Sequence, residues 1–377
     1  MSQNDPNQHR SFLSDLDKEL RSIWSTILDE LREFRSQLND PGHWNATVRK
    51  ETAEITDFYL GSEQRDRLKN MKPVRRNLYR TGWVLQAMFD KLSPGRRVVL
   101  IMGGVLILIS SQDNSFDIFG GICLLVVIML ELKDKLLAHD ELEEGRHIQE
   151  LLMPEQSPAV TGWSVWLYTR SANEVCGDLI DFIRMENGRI GLAIADVAGK
   201  GLHAALLTTK LQATIRAFAF DQRSLSAFVE KVNTIFHRDS PSHLFASLFY
   251  LDIAETGGRV SYVNAGHLPA MTMKNGSIRE TEKGDLALGL ARTASYAEHS
   301  IDLDDGDLIL LFSDGLTEAK NERGDFFGKE RLMQILRTAT GSSEQIGLSI
   351  LDDVDRFTGT QKPSDDLSLI ILKRTAS

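Results

Sequence analysis

Acidic residues stand beside apolar runs at four places beyond residue 175 of this 377-residue chain. Leu192-Ala-Ile-Ala-Asp196 reads as a hydrophobic strand that ends in an aspartate and passes at once into Val197-Ala-Gly-Lys-Gly201. Ile309-Leu-Leu-Phe-Ser-Asp314-Gly315 repeats the design. Cys176-Gly-Asp178 comes shortly before the first of these runs, and Ser364-Asp365-Asp366 directly precedes the last strand pattern. One Asp-Gly pair is usually a turn, because both residues favour turn geometry. Four strand-end carboxylates that converge are harder to explain that way. Hard cations such as Mg²⁺ and Mn²⁺ take oxygen ligands and keep several waters, so carboxylates on rigid strand ends suit them. Two such ions a few ångströms apart lower the pKa of a bridging water and aim it at phosphorus, which hydrolyses a phosphoester without a protein nucleophile. Glycines beside the acids let the backbone approach closely, so a carbonyl can also serve as a ligand.

The elements that would position these acids are legible beyond Pro158. Strand patterns cover Ser164 to Thr169, Arg189 to Asp196, Phe245 to Ile253, Arg259 to Asn264, Asp307 to Ser313 and Leu367 to Leu372. Helical patterns cover Leu202 to Phe220, Leu225 to His237, Lys329 to Ala339 and Ser343 to Phe357. Strands follow strands and helices come in pairs, which predicts antiparallel sheets with helices packed outside, an α+β arrangement.

The first part of the chain has a different texture. Apolar residues at three- and four-residue steps from Leu13 to Leu38 predict an amphipathic helix, ended by Pro41 and Gly42, and a second helical stretch runs from about Val48 towards Met71. Residues 62–97 carry ten basic and three acidic side chains, whereas residues 98–377 carry 26 basic and 39 acidic ones. A basic stretch suits anionic lipid, and the acidic body disfavours nucleic acid. Two apolar runs, Val98 to Ile109 and Ile118 to Leu130, are short for bilayer spans. Arg96 and Arg97 precede them, Lys133 and Lys135 follow, and the loop between has no Lys or Arg. That charge pattern predicts a membrane hairpin with both ends cytoplasmic, a buried soluble helix pair being the alternative. Glu131 to Met153 then reads as a charged linker helix before Pro154. The expected organisation is a helical region over 1–95, a hairpin over 96–132, a linker over 133–158 and a catalytic domain over 159–377. Apolar content of 42% and charged content of 25% are ordinary for a globular chain. Two cysteines, Cys123 and Cys176, exclude a disulfide framework, and the polar first residues argue against a secretory signal.

Five segments resemble, in order, the motifs of the SpoIIE/RsbU-like bacterial branch of the PPM-type (protein phosphatase 2C-like) serine/threonine phosphatases. They are Gly177-Asp178-Leu-Ile-Asp181-Phe182, Ile194-Ala-Asp196-Val-Ala-Gly199-Lys200-Gly201-Leu-His-Ala204-Ala205-Leu206, Asn264-Ala-Gly-His267-Leu-Pro269, Phe312-Ser-Asp314-Gly315-Leu-Thr317-Glu318-Ala319 and Asp365-Asp366-Leu-Ser368. Arg146-His-Ile148-Gln149-Glu-Leu151-Leu152-Met-Pro154 is similar to the linker that enters such domains. The resemblance spans about 146 to 374 and implies an αββα sandwich with two Mn²⁺ or Mg²⁺ ions at one end of the sheets. It implies that Asp196 bridges the ions, that the Val197 carbonyl binds one, and that Asp178, Asp314 and Asp365 complete the shell, with Asp178 and Asp196 central to catalysis. Asp366 is expected beside the ligands, Thr317 and Glu318 as loop-ordering residues, and Lys200 and His267 as weaker candidates for contact with substrate. Cys176 stands where the family usually has glycine, and Ser368 where it often has threonine.

The implied function is dephosphorylation of a phosphoserine or phosphothreonine on a partner-switching regulator, such as an anti-sigma factor antagonist. The implied control is a linker helix that acts on the helix starting at Gly201, with a homodimer formed through the linker. The expected location is the bacterial inner membrane, with the cytoplasm as the alternative. Two other classes compete: an inactive pseudophosphatase that serves as an interaction module, and a different two-metal enzyme such as a nucleotide cyclase or nuclease. The acidic body and the lack of a P-loop disfavour the latter.

Overall fold

Continuous apolar runs form strands buried on both faces, and such strands need a layer on each side. In the computed structural model, which describes residues 52, 55–56, 59–69, 71–109, 114–185, 188–220 and 224–375, they make two five-stranded sheets. The strands are β1 (Trp163–Arg170), β2 (Asp178–Arg184), β3 (Arg189–Val197), β4 (Ala246–Ala254), β5 (Arg259–Ala265), β6 (Met271–Lys274), β7 (Ser277–Glu280), β8 (His299–Asp302), β9 (Leu308–Phe312) and β10 (Leu367–Arg374). One sheet runs β1-β10-β9-β6-β7 and the other β2-β3-β4-β5-β8, with antiparallel pairing throughout.

The helices are α1 (Ser62–Lys69), α2 (Pro73–Lys91), α3 (Pro94–Ile109), α4 (Asn114–Leu152), α5 (Leu202–Ala219), α6 (Leu225–Asp239), α7 (Asp314–Thr317), α8 (Gly328–Thr338) and α9 (Ser343–Thr358). Period-two alternation assigns strand side chains to layers. Leu192, Ile194, Phe249 and Leu251 pack against Leu167, Ile309, Leu311, Ile370 and Leu372 between the sheets. The alternate residues Ala193, Ala195, Leu248 and Tyr250 meet Leu211 and Ile215 of α5 and Phe228 and Val232 of α6. On the other sheet Trp166, Leu310, Phe312, Leu369 and Ile371 meet Leu332 and Leu336 of α8 and Ile346 and Ile350 of α9. The result is an α/β/β/α sandwich. Ser224 caps α6 by accepting from the Ala227 N–H, and Ser342 with Gln345 forms a capping box on α9, so both helices start where side chains satisfy their first amides.

The six strands and four helices expected after Pro158 are all present, with ends shifted by one or two residues. Four further strands, β2, β6, β7 and β8, lack a long apolar run. β6 and β7 carried a readable signal nonetheless: Asn275 and Gly276 between them both have positive φ, as a two-residue hairpin turn requires.

The chain divides into Met1–Leu132 and Lys133–Ser377. In the first unit the expected helix over Leu13 to Leu38 lies outside the described residues. The membrane hairpin is not supported: among the described residues no helix is long and apolar enough to cross a membrane. At 16 residues α3 is about 24 Å long against a hydrocarbon core of about 30 Å. The second apolar run is only part of α4, a 39-residue helix that continues as the charged linker. The two helices approach closely through small residues, since a Cβ on Gly120 would stand 2.8 Å from the Gly103 carbonyl oxygen.

Gly347 in α9 lies against the Trp166 ring, where a Cβ would fall 2.0 Å from Cζ3. Alanine raises helix propensity by about 1 kcal/mol, but overpacking a rigid indole outweighs that. Gly347→Ala is therefore expected to destabilise the protein by about 1–3 kcal/mol in urea unfolding. A variant more stable than wild type would contradict this packing.

Candidate metal centre

Strand register gathers the acids. Asp178 opens β2 and Asp196 lies near the end of β3, directly opposite it. In the other sheet Phe312 closes β9 two residues before Asp314, and Leu367 opens β10 immediately after Asp365 and Asp366. β9 and β10 are paired, and the Ser313 N–H donates to the Ser368 carbonyl, so these acids share one end. Asp178, Asp196, Asp314, Asp365 and Asp366, more than 180 residues apart along the chain at the extremes, thus act on one another electrostatically.

Burial and mutual repulsion dominate the electrostatics. Asp196 is pushed up to about 6, first by burial and then by the carboxylates of Asp314, Asp365 and Asp366, while Lys200 pulls the other way. Asp178 is raised well above the usual carboxylate range by burial and by Asp196, against the nearby hydroxyls of Ser368 and Ser313. Its Oδ2 is buried without a hydrogen-bond partner. Asp314 is raised by burial and then by Asp365 and Glu318. Against these acids stands the exposed Lys200, so the cluster with its orphaned buried oxygen is only partly compensated, and an oxygen-only donor set suits a hard divalent cation. Among the described residues, however, no three groups stand close enough to grip one ion together. Lys200 Nζ instead lies 3.3 Å from Asp365 Oδ2 and donates to the Ser364 carbonyl.

Asp366 is committed to backbone. It accepts from the Gly177 N–H at 2.6 Å, the Ala172 N–H at 2.7 Å and the Ser171 hydroxyl at 3.3 Å, which anchors the loop before Asp178. The Gly177 carbonyl in turn accepts from Thr208 of α5 at 2.7 Å. Gln149, near the end of α4, pairs its side-chain amide with the Cys176 backbone: Oε1 accepts the N–H at 3.0 Å and Nε2 donates to the carbonyl at 3.1 Å. The same helix ends at Leu152, whose carbonyl accepts from Gln212 and Arg216 of α5. Arg216 is also bidentate with Asp181, which is fully buried on β2. Cys176 is buried and its thiol pushed up, by burial first, so it is protonated at neutral pH.

This arrangement of acids, two sheets and flanking helices has relatives. The profile described as Stage II sporulation protein E (SpoIIE) matches residues 186–375, half of the chain. The chain belongs to the SpoIIE family. It is 26% identical over 237 residues to the phosphoserine phosphatase RsbU of Bacillus subtilis, covering 62% of this chain and 70% of RsbU. It is 26% identical over 264 residues to protein IcfG of Synechocystis, covering 62% of this chain but only 41% of IcfG. The SiaA-PP2C domain of Pseudomonas aeruginosa superposes with a TM-score of 0.55 at 19% identity, covering 64% of this chain and 99% of that domain. The SpoIIE fragment from Bacillus subtilis, a PP2C phosphatase domain with part of its regulatory domain, gives 0.51 at 15% identity, over 59% and 66%. These likenesses establish a PP2C-type fold for the SpoIIE-family domain.

The candidates fall into two groups. Asp178, Asp196, Asp314 and Asp365 meet at one end with Lys200 beside them, and the Val197 carbonyl follows on the same strand end. His267 is buried away from solvent. Of the loop residues, Thr317 bonds the Asp314 carbonyl through its hydroxyl at 3.3 Å, and Glu318 acts electrostatically on Asp314. Ser313 has a role that its residue type alone does not reveal: its Oγ donates to the Asp366 carbonyl and accepts from the Ser368 N–H, locking β9 to β10 beneath the acids. Its place between Phe312 and Asp314 was the one available signal.

The raised Asp196 predicts a pH effect with a definite sign. The folded chain holds this proton more tightly than the unfolded one, so metal-free stability falls as pH rises from about 4 through about 6. In EDTA at neutral pH, Asp196→Asn is expected to be more stable than wild type by on the order of 1 kcal/mol, the gap closing towards pH 4. Thermal melts across that range check it, and a variant less stable at neutral pH contradicts it.

Proposed function

We propose that the protein is a metal-dependent phosphoprotein phosphatase that removes phosphate from serine or threonine on a partner-switching regulator, such as an anti-sigma factor antagonist. One observation carries the reading: Asp314 and Asp365 from one sheet act on Asp196 from the other, and Asp178, directly across the ladder from Asp196, has its Oδ2 buried without a partner. In this reading Asp196, the Val197 carbonyl, Asp178, Asp314 and Asp365 are the residues that would hold the metal ions. Mn²⁺ or Mg²⁺ there supplies a bound water of lowered pKa and positive charge for the phosphoryl oxygens. The chain's own residues hold and orient. Register fixes Asp178 opposite Asp196, Asp366 holds the loop before Asp178, and the Ser313 hydroxyl bonded to the Asp366 carbonyl joins the segments that carry Asp314 and Asp365. Lys200, exposed and paired with Asp365, would be free to meet a phosphate oxygen if a bound metal took that carboxylate.

The spacing of the acids favours a second reading, a pseudophosphatase that binds a partner without turnover. Phosphopeptide hydrolysis with Mn²⁺ separates the two. Wild type is expected to turn over, and Asp196→Asn to lose about 100-fold or more in kcat; equal rates in both proteins would support the binding module.

The linker helix offers a route for control. Gln149 bonds the peptide two residues before Asp178, and Leu152 is bonded from α5, so a rotation of α4 in this region moves both the loop and the helix that follows Asp196. Gln149→Ala is expected to lower Mn²⁺-supported turnover about 10-fold by loosening Asp178 while the fold persists. Unchanged kinetics and unchanged Mn²⁺ dependence would remove Gln149 from this route. A homodimer through the linker belongs to the same proposal and is read by sedimentation. The basic residues 62–97 next to exposed apolar side chains such as Ile101, Leu108, Ile118 and Phe119 favour attachment to an anionic inner-membrane surface over a freely cytoplasmic location, which fractionation tests.

A further inference from the structure

His267 sits in the Asn264-Ala-Gly-His segment that follows β5, and its backbone is folded inward by one side chain. The Asn264 amide accepts the His267 N–H at 2.8 Å through Oδ1 and donates to the His267 carbonyl at 3.1 Å through Nδ2. The imidazole that results is buried, and both ring nitrogens have partners within the protein. Nε2 lies 3.2 Å from the Phe312 carbonyl oxygen, and Nδ1 lies 2.8 Å from Ser247 Oγ. A carbonyl only accepts, so Nε2 carries the proton, and Nδ1 then accepts from the Ser247 hydroxyl. Ser247 Oγ has acceptor capacity left and takes the Asp196 N–H at 3.3 Å, the residue directly across the β3–β4 ladder. The bonds therefore run in one direction, from the Asp196 amide through Ser247 to His267. From there the ring donates on to Phe312.

The two ends of this path lie on different sheets. Asp196 and Ser247 belong to β3 and β4, whereas Phe312 is the last residue of β9, two before Asp314. Between the sheets the core contacts are largely apolar and non-directional, so they set the layer spacing but not the relative height of these two strand ends, and the crossing bonds from Trp163 Nε1 to the Ala254 carbonyl and from the Gly177 N–H to Asp366 act at other strand ends. A hydrogen-bonded ring held on both nitrogens does set it. We propose that His267, as its neutral Nε2–H tautomer, is a positioning residue that bolts the strand end bearing Asp196 to the strand end bearing Asp314 and so fixes the separation of two acids contributed by opposite sheets. This rests on the phosphatase reading for its consequence, but not for its geometry. It also removes His267 from proton transfer to a leaving group, because neither nitrogen reaches solvent or a substrate.

The test uses the full chain as wild type, Ser247→Ala, His267→Gln and the double variant. Ser247→Ala breaks the path while leaving the ring in place, so it remains informative if His267→Gln folds poorly. Calorimetric titration with Mn²⁺ is expected to show affinity weakened about 10-fold in each single variant, and the double variant no weaker than the worse single, since both break one path. At saturating Mn²⁺ the phosphopeptide kcat is expected to fall with KM little changed, and both limbs of the pH profile to stay in place. The ¹⁵N spectrum of the wild-type ring is expected to report a neutral Nε2–H form at neutral pH. Folded variants with wild-type Mn²⁺ affinity and only lowered urea midpoints would make the contact merely structural and overturn the proposal. So would a lost limb of the pH profile, or a charged or Nδ1–H ring. Wild type that binds Mn²⁺ without turnover would end the phosphatase reading alone; wild type that binds none would end both.

Discussion

Carboxylates from two separate sheets are held at one end of the sandwich, where burial and their repulsion both oppose ionisation. Left to relax, such groups would take up protons or move apart, and burial with repulsion raises Asp178, Asp196 and Asp314 in the direction of the first. What prevents the second is backbone. Asp178 and Asp196 are neighbours in a ladder, Asp314 and Asp365 flank the paired ends of β9 and β10, and each ladder continues along its strands away from the charges. The sandwich core supplies the rigidity, and the acid end draws on it.

Secondary hydrogen bonds refine what the ladders begin. Asp366, although adjacent to Asp365, faces the amides of Ala172 and Gly177 and so organises the loop that crosses from β1 to β2 in the other sheet. Ser313 ties the last strand to the one before it, and Thr208 ties α5 to the Gly177 carbonyl. Each joins segments distant in the chain, and each ends within two residues of an acid. Displacing any one of them shifts a carboxylate rather than merely loosening a surface.

The end of α4 joins this network by imitation of a peptide. An amide side chain offers one donor and one acceptor, and Gln149 presents both to the Cys176 backbone as a neighbouring strand would. Because Arg216 and Gln212 hold the same helix by its last carbonyl, α4 and α5 are coupled at the level of single hydrogen bonds. A linker that only spaced two regions would need none of these contacts. Upstream, the close approach of α3 and α4 at Gly103 and Gly120 explains why two short apolar runs need not be spans: small residues let them bury part of that surface on each other.

Much of the architecture was open to reading because strands buried on both faces leave long apolar runs, and because amphipathic helices such as α6 and α9 advertise their inner faces. β2 was hidden by Asp178 and Asp181, charges that make sense only against an opposing acid cluster and the Arg216 side chain. β8 is four residues at a sheet edge, too short for any period to show. The apolar runs at 98–109 and 118–130 were misleading for a related reason: composition does not say whether a neighbour or a bilayer covers an apolar face. The order of motifs along the chain determined the family, and the placing of acids at strand ends determined the kind of chemistry, since strand period and turn preference are local properties. Which carboxylates meet, that Asp366 turns to backbone while Asp365 meets Lys200, and that His267 is locked between sheets were decided only by the tertiary fold. Those outcomes depend on distances between segments far apart in the chain, and local sequence carries no record of them.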